Sequence, residues 1–287
     1  MKIGLRIPGT ARQLPFETFC QWCRDTGFQS VDLGTVTPEA VATAARYNLE
    51  IGTADLPGTR DLLSPDPARQ EQGVAAVRAA IESAAALGIR RMFCVFVPED
   101  RNQSRARSFD IWKETFPSVV ATAAAHGVRI AMEGWPGPGP TYPALGCTPE
   151  TWRAMFAVCP DPAFGLNYDP SHLLRLGIDP FRALDEFGDR VVHAHGKDTE
   201  IDPERLYEHG NVGPTFRKPK PFGESWWRYT IPGEGSLPWG RLIARLEDHG
   251  FDGVIAVELE DYRYHGSWER EAEGLRRSRD YLAQWVR

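Results

Sequence analysis

Short apolar runs alternate with longer amphipathic runs along the whole chain. The short runs have the length and continuous apolar character of buried strands. The longer runs carry apolar residues at helical spacing, and many begin near Pro or end before Gly, as helices do. Strands are predicted at 3–7, 30–34, 49–54, 91–97, 128–133, 163–169, 191–195 and 253–259. Helices are predicted at 15–26, 38–47, 67–87, 105–126, from 148, from 179, at 237–249 and at 268–285.

Eight β/α units in a chain of 287 residues predict a single (β/α)8 TIM barrel covering residues 1–287. Continuous apolar strands between helices indicate a parallel sheet covered on its outer face. A doubly wound open sheet is the structural alternative. Neither a G-x-G-x-x-G after the first strand nor a G-x-x-x-x-G-K-[ST] motif is present, so nothing favours a nucleotide-binding open sheet.

One connection is much longer than the others. Residues 199–235, after the seventh strand, are rich in Pro, Gly and aromatic residues. Loops of this length in compact domains are usually functional lids or disordered segments. Trp226, Trp227 and Tyr229 argue against disorder. We therefore expect an ordered, lid-like segment, which we call the insert.

Composition narrows the class of protein. The chain is 42% hydrophobic and 25% charged, with a net charge of −6. These values argue against general disorder and against nucleic-acid binding, which needs a basic face. No apolar run approaches the ~20 residues of a membrane helix, and the N-terminus lacks a signal-peptide pattern. We expect a cytoplasmic protein. Cys20 and Cys23 form a C-x-x-C, but with Phe16 and Phe19 they fit the buried stripe of a helix.

The candidate chemistry lies at four successive strand ends, which carry Glu133, Asp169, His195 and Glu258. The carboxyl ends of barrel strands converge on one rim, so these side chains should meet. Three carboxylates that close together need a cation between them. Their oxygens and one imidazole nitrogen suit Mn²⁺, Mg²⁺, Co²⁺ or Zn²⁺, and the absence of thiolates argues against structural zinc. Taken singly, each acid is also explained as a helix cap, a turn residue or an ion-pair partner.

Further candidates surround this set. We expect His193 and His195 to point to opposite faces of their strand, so that only His195 enters the site. His172 reaches the rim on the turn after Asp169, as a substrate-binding group or as a helix cap. Lys197 is placed to neutralise a substrate oxyanion, or is a solvated lysine.

Aromatic and basic residues outside the strand ends complete the candidate site. Trp135 offers an apolar face to sugar C–H groups, and Arg228 in the insert offers a charge to a substrate anion. The alternative is that these side chains only pack the insert against the barrel or a neighbouring subunit.

The residues at the strand ends also resemble a known family. Glu133, Asp169-x-x-His172, His193-x-His195-x-Lys197-Asp198, Pro232-Gly233-Glu234-Gly235 and Glu258 are similar to the motifs of the xylose-isomerase-like TIM-barrel family of sugar phosphate isomerases and epimerases. The family includes ketose 3-epimerases, hydroxypyruvate isomerase, inosose dehydratase and endonuclease IV.

The resemblance implies a site and a chemistry. It implies that Glu133, Asp169, His195 and Glu258 bind one divalent metal, commonly Mn²⁺. It also implies that His172 contacts substrate and that the two glutamates act as an acid/base pair. Endonuclease IV-like members need three metals and many more histidine ligands, and the seven histidines here argue against that activity.

These features predict a metal-dependent isomerase or epimerase that removes a proton next to the carbonyl of a sugar or keto-sugar, through a metal-stabilised enediolate. The alternative is a lyase with the same first step, such as a keto-inositol dehydratase or a 3-keto-glycoside-cleaving enzyme. A third interpretation is that the barrel binds a sugar but does not catalyse a reaction. We expect a small-molecule partner, no nucleic acid and no membrane, with room for a homo-oligomer.

Overall fold

The computed structural model describes residues 1–286. Within that range, eight parallel strands close into a barrel in which each is hydrogen-bonded to the next one around the ring. They are β1 Lys2–Arg6, β2 Ser30–Leu33, β3 Glu50–Asp55, β4 Arg91–Cys94, β5 Arg129–Glu133, β6 Phe164–Tyr168, β7 Val191–Gly196 and β10 Val254–Val257. The last strand pairs with the first, with Leu5 opposite Val257. The predicted (β/α)8 TIM barrel is confirmed.

Helices cover the outside of the barrel. Their bounds are α1 Phe16–Thr26, α2 Pro38–Arg46, α3 Pro67–Ala86, α4 Arg105–Ala125, α5 Pro149–Val158, α6 Pro170–Arg175, α7 Pro180–Phe187, α8 Pro203–His209, α9 Trp239–Asp248 and α10 Trp268–Leu282. The predicted starts of α5 and α7 are confirmed, because Thr148 and Asp179 cap them ahead of Pro at the first helical position. In residues 1–286 none of the helices is both long and apolar enough to span a bilayer.

Several local predictions differ from the structure. The eighth strand, predicted at 253–259, is Val254–Val257. The fourth strand stops at Cys94 and does not reach 97, because Phe96 bridges to Leu145 outside the barrel. The segment after β6 was expected to be a turn and forms the short helix α6 instead. The interpretation of Cys20 and Cys23 as core residues is confirmed, since both are fully buried and unpaired.

The insert contains a two-stranded ribbon and a short helix. Its first strand, β8 (Asp198–Ile201), pairs antiparallel with β9 (Trp227–Thr230), so that Thr199 lies opposite Tyr229. The helix α8 lies between these two strands. Both strands pack against α6, which directly follows β6. This ribbon therefore meets the barrel beside the carboxyl end of β6.

Asp198 fastens the ends of the insert. Its carboxylate accepts hydrogen bonds from the backbone N–H groups of Thr199 (2.8 Å), Leu237 (3.0 Å) and Gly233 (3.1 Å), and from Trp239 Nε1 (3.1 Å). A Cβ at Gly235 would lie 2.2 Å from Asp198 Oδ1. The Pro-Gly-Glu-Gly segment at 232–235 is therefore wrapped around a buried carboxylate, which gives its glycines a structural role.

Candidate metal centre

The four predicted ligands meet at the carboxyl ends of β5, β6, β7 and β10. Each of Glu133, Asp169, His195 and Glu258 offers one ligand atom, and these atoms all lie within 4.8 Å of one another. His195 Nδ1 is 2.6 Å from Glu133 Oε1, 3.4 Å from Glu258 Oε2 and 3.7 Å from Asp169 Oδ2. An ion about 2.0–2.2 Å from each ligand needs ligand atoms roughly 3–4.4 Å apart, so the shortest pair must open and the widest pair must close by a few tenths of an ångström.

Two of these atoms, Asp169 Oδ2 and His195 Nδ1, are buried and make no hydrogen bond of regular geometry, although they lie close to each other, to Glu133 and to Lys197. Buried polar atoms are almost always hydrogen-bonded, so a close cluster of ligand atoms without aligned hydrogen bonds is one that an ion between them would satisfy. The other oxygen of Asp169 accepts from the backbone N–H (2.9 Å) and hydroxyl (2.6 Å) of Ser171 at the start of α6. Asp169 thus combines its cap role with a second oxygen that points to the centre. The residues fit a divalent ion.

Neighbouring groups shift the pKa values of the residues at the centre. Burial and the Glu258 charge raise the pKa of Glu133, but the nearby histidines outweigh them and lower it to about 2. Burial is likewise outweighed at Asp169 and Glu258, where Lys197 helps to hold each pKa below its usual range. Burial lowers the pKa of His195, whereas Glu258 and Glu133 raise it well above the usual value. The three acids are therefore anionic at neutral pH.

Lys197 places a buried ammonium group beside these acids. It is 1% exposed, and its Nζ lies 3.2 Å from Asp169 Oδ2 and 3.0 Å from Glu260 Oε2, and also contacts Glu258 Oε2. The alternative of a solvated lysine is wrong. An ammonium group at this position neutralises the same carboxylates that a metal ion would neutralise.

The expectation that His193 and His195 face opposite sides is wrong. Residues two apart on a strand share a face, and both rings point into the barrel. His193 Nε2 lies 2.9 Å from Asp32 Oδ2, and the same oxygen is 3.9 Å from His195 Nε2. Asp32, fully buried on β2, was missed by the sequence reasoning. The sequence pattern that could have identified Asp32 is an acidic residue near the carboxyl end of a buried strand.

His172 lies at the centre as expected. Its Nε2 is 3.4 Å from Asp169 Oδ2 and 3.5 Å from Glu133 Oε2. Its Nδ1 is 2.6 Å from the hydroxyl oxygen of Tyr229, which comes from β9 of the insert. Arg175 NH1 donates to that same oxygen (2.6 Å). Sequence reasoning missed Arg175 altogether and treated Tyr229 only as an apolar surface.

Arg228 does not face the centre, so its assignment to substrate binding there is wrong. It neighbours Tyr229 on β9, and adjacent strand residues point to opposite faces. Its side chain pairs with Glu200 and lies 3.5 Å from Asp261. Trp135 is half-buried two residues beyond Glu133, so its substrate contact stays a prediction.

Arg6, at the end of β1, borders the centre next to Glu258. Its Nε lies 3.5 Å from Glu258 Oε1, while its two terminal nitrogens donate to the carboxylate of Asp55 (2.9 Å each). The guanidinium stacks on Phe93 (4.5 Å), whose ring in turn stacks on His195 (5.5 Å). Next to Arg6 opens a cleft of about 220 Å³, lined by Arg6, Ile7, Arg12, Asp32, Gly34 and Thr35.

The fold is a TIM barrel, and a carboxylate–histidine centre lies at its rim. The chain belongs to the xylose isomerase-like TIM barrel family, whose model matches residues 11–285. The fold is also that of D-psicose 3-epimerase from Clostridium cellulolyticum H10. That structure superposes with a TM-score of 0.73 and 14% sequence identity, covering 100% of this chain and 99% of the other.

Two sequence relatives match over shorter stretches. The uncharacterised protein YfiH of Bacillus subtilis (strain 168) is 34% identical over 179 residues, which is 61% of this chain and 51% of YfiH. An inosose dehydratase of Lacticaseibacillus casei is 29% identical over 113 residues, 39% of this chain and 36% of the enzyme. The chain thus aligns with about half or less of these two relatives.

Proposed function

We propose that this protein is a divalent-metal-dependent sugar isomerase or epimerase that removes a proton next to a carbonyl group. The observation that carries the proposal is the convergence of three carboxylates and one imidazole at the barrel rim, where two buried ligand atoms make no hydrogen bond of regular geometry. The names of the similar proteins, a sugar epimerase and an inosose dehydratase, support a sugar-modifying enzyme.

Glu133, Asp169, His195 and Glu258 would hold the ion, for which we propose Mn²⁺, with Mg²⁺, Co²⁺ and Zn²⁺ as alternatives. When bound there, a divalent ion polarises the substrate carbonyl and stabilises the enediolate that proton removal leaves.

Two glutamates are placed to move the proton. Glu133 ends β5 and Glu258 follows β10, three strands away around the ring, so they approach a substrate from two sides. Both carboxylates are anionic and can accept a proton. For epimerisation, one carboxylate takes the proton, and the other, after taking up a proton from solvent, returns one on the opposite face. For isomerisation, a single residue takes the proton from one carbon and returns the same proton to the next.

Two further residues are proposed to bind the substrate. His172 Nε2 lies beside both Glu133 and Asp169 and can meet a substrate oxygen. The Lys197 ammonium is buried among the acids, where it can neutralise the developing oxyanion. Trp135 is retained as an apolar flank, and Arg228 is left out because it faces away.

A lyase of the same family is the second candidate, favoured by the match to inosose dehydratase. Both candidates begin by removing the α-proton, but the lyase then expels a leaving group. Product mass separates them, because isomerisation and epimerisation leave the mass unchanged and elimination lowers it. Proton exchange at the α-carbon is common to both.

The proposal is tested in two stages. First, protein stripped with EDTA is titrated with Mn²⁺, and we expect one ion per chain. Second, the loaded protein is incubated in D₂O with a panel of ketoses and keto-inositols, and α-deuteration is followed by NMR. With saturating Mn²⁺, Glu258→Gln should slow exchange by at least ~10²-fold, the scale of general acid–base catalysis. Arg228→Gln is the matched control and should leave exchange unchanged.

Each stage has an opposing outcome. Failure to take up Mn²⁺ or another divalent ion would favour a non-catalytic sugar-binding barrel. Full exchange activity in Glu258→Gln would remove that residue from the acid/base pair.

A further inference from the structure

We propose that the insert carries a second ligand site, which binds a phosphate group, either as free phosphate or as the ester of a small molecule. The site is a cavity of about 230 Å³ whose lining includes Arg205, Lys220, Ser225, Arg228 and Tyr262. We call it the insert cavity. It is separate from the metal centre and does not depend on the proposed function.

The insert cavity and the metal centre lie on opposite faces of β9. Arg228 lines the cavity, whereas its neighbour Tyr229 points to the metal centre and contacts His172 there. Adjacent residues of a strand point to opposite faces, so the ribbon lies between the two sites. A ligand in the insert cavity is therefore additional to a substrate at the metal centre.

Arg228 brings donors to the cavity that its neighbours do not fully use. Its Nε donates to Glu200, but its Nη1 is buried and makes no hydrogen bond of regular geometry, although it lies 3.5 Å from Asp261 Oδ1. Both oxygens of Asp261 already accept from the side chain of Arg263, and one of them also accepts from the backbone N–H of Ile231. A guanidinium group with N–H groups left over indicates an acceptor supplied from outside the chain.

The charged side chains that line the cavity leave one positive charge uncompensated. Both lining carboxylates are paired with arginines of the same cavity, at Glu200–Arg228 and Asp202–Arg205. Lys220 is the third cation, and its Nζ donates to the hydroxyl of Tyr262 (2.7 Å). This hydrogen bond lowers the pKa of the phenol. Within residues 1–286 Lys220 forms no ion pair with a carboxylate. The excess charge favours an anionic ligand.

Three kinds of donor converge on the cavity. Lys220 Nζ and Arg228 Cζ lie 4.4 Å and 5.3 Å from the centre of the same ring, that of Tyr262. Ser225 is 5% exposed, and its Oγ has no hydrogen-bond partner in the described part of the chain. An ammonium, a guanidinium and a hydroxyl from separate positions suit the several oxygens of a phosphate better than the two coplanar oxygens of a carboxylate.

The cavity also has room for more than the phosphate group. Its wall includes Trp226 as well as Tyr262, and both rings offer a flat face to an organic remainder. Free phosphate and a small phosphate ester therefore share the same recognition chemistry at this site.

Isothermal titration of the full chain in EDTA tests the site, with inorganic phosphate, glucose 6-phosphate and glucose as probes. We expect one phosphate or one phosphate ester to bind per chain. Lys220→Gln should weaken this binding at least ~10-fold, the effect of losing one charge-assisted hydrogen bond. Ser225→Ala should weaken it several-fold. Tighter binding of glucose 6-phosphate than of phosphate identifies an ester as the ligand, and the reverse order identifies free phosphate.

Lys218→Gln is the matched control. Lys218 is exposed, lies two residues from Lys220 and is not among the residues that line the cavity, so the substitution makes the same change in net charge outside the site. Its phosphate affinity should stay within about twofold of that of the unmodified protein, because an exposed charge outside the cavity contributes little.

Three results would overturn the proposal. Neither phosphate nor glucose 6-phosphate binds at about 10 mM, a concentration that reveals even weak sites. Lys220→Gln weakens binding no more than Lys218→Gln, which would mean that the anion responds to surface charge in general or binds elsewhere. Succinate binds as tightly as phosphate, which would reject the assigned class of ligand. The titrations need neither Mn²⁺ nor substrate, so their outcome is independent of the exchange assay.

Discussion

Replacing Lys197 by methionine tests whether the buried ammonium and a metal ion neutralise the same carboxylates. The side chain keeps its length and loses its charge. Its Nζ contacts Glu258 and lies 3.2 Å from Asp169 and 3.0 Å from Glu260, all in a buried setting. Removing one partner of a buried ion pair typically costs about 3–5 kcal/mol, because the other charge is left uncompensated. At roughly 2–4 °C per kcal/mol, the metal-free variant should melt about 6–20 °C lower.

The metal-free Lys197→Met variant should be less stable than the unmodified protein, but it should bind a metal ion more tightly. An ion bound to Asp169 would lie within about 5 Å of the Lys197 ammonium, where a +1/+2 pair repels by about 7 kcal/mol at an effective dielectric constant of about 20. Side-chain movement relieves part of this, so we expect Lys197→Met to bind Mn²⁺ at least ~10-fold more tightly. Saturating Mn²⁺ should therefore raise the melting temperature of the variant more than that of the unmodified protein.

Calorimetry in EDTA and in Mn²⁺ measures both effects, and isothermal titration gives the affinity. Lys113→Met is the control, because Lys113 pairs with Asp110 on the surface at 2.8 Å and such pairs contribute about 1 kcal/mol or less. The reasoning is refuted if Lys197→Met is as stable as the unmodified protein in EDTA, or if its Mn²⁺ affinity is unchanged or weaker.

Three other outcomes follow from the fold. Asp198→Ala should lower the free energy of unfolding in urea by at least ~3 kcal/mol, because four N–H donors lose their acceptor; a loss below ~1 kcal/mol would contradict the fastening role. Gly235→Ala should cost about 1–3 kcal/mol in the same assay, since its Cβ would lie 2.2 Å from Asp198 Oδ1, and unchanged stability would count against this crowding. The five cysteines should not react with Ellman's reagent in the native protein, because all are buried and burial raises the pKa of each thiol. All five should react in guanidinium, and fast labelling of the native protein would contradict their burial.

The four proposed ligands could be found in the sequence because one rule places them. Parallel barrel strands end at the same rim, so an acid or histidine at the end of a buried apolar run has a known destination. Glu133, Asp169, His195 and Glu258 follow this rule, and the structure brings them together. The rule also covers Asp32 near the carboxyl end of β2, which the prediction from the last four strands did not include.

The tertiary structure decided what surrounds these ligands. Tyr229 meets His172 across 57 residues of chain, and whether Tyr229 or Arg228 faces inward depends on the pairing of β8 with β9. A shift of one residue in that pairing would exchange the two side chains, and the local sequence does not reveal it. Strand periodicity and strand ends are local properties and can be read along the chain. The partners that set the charges at the centre are brought together only when distant segments pack.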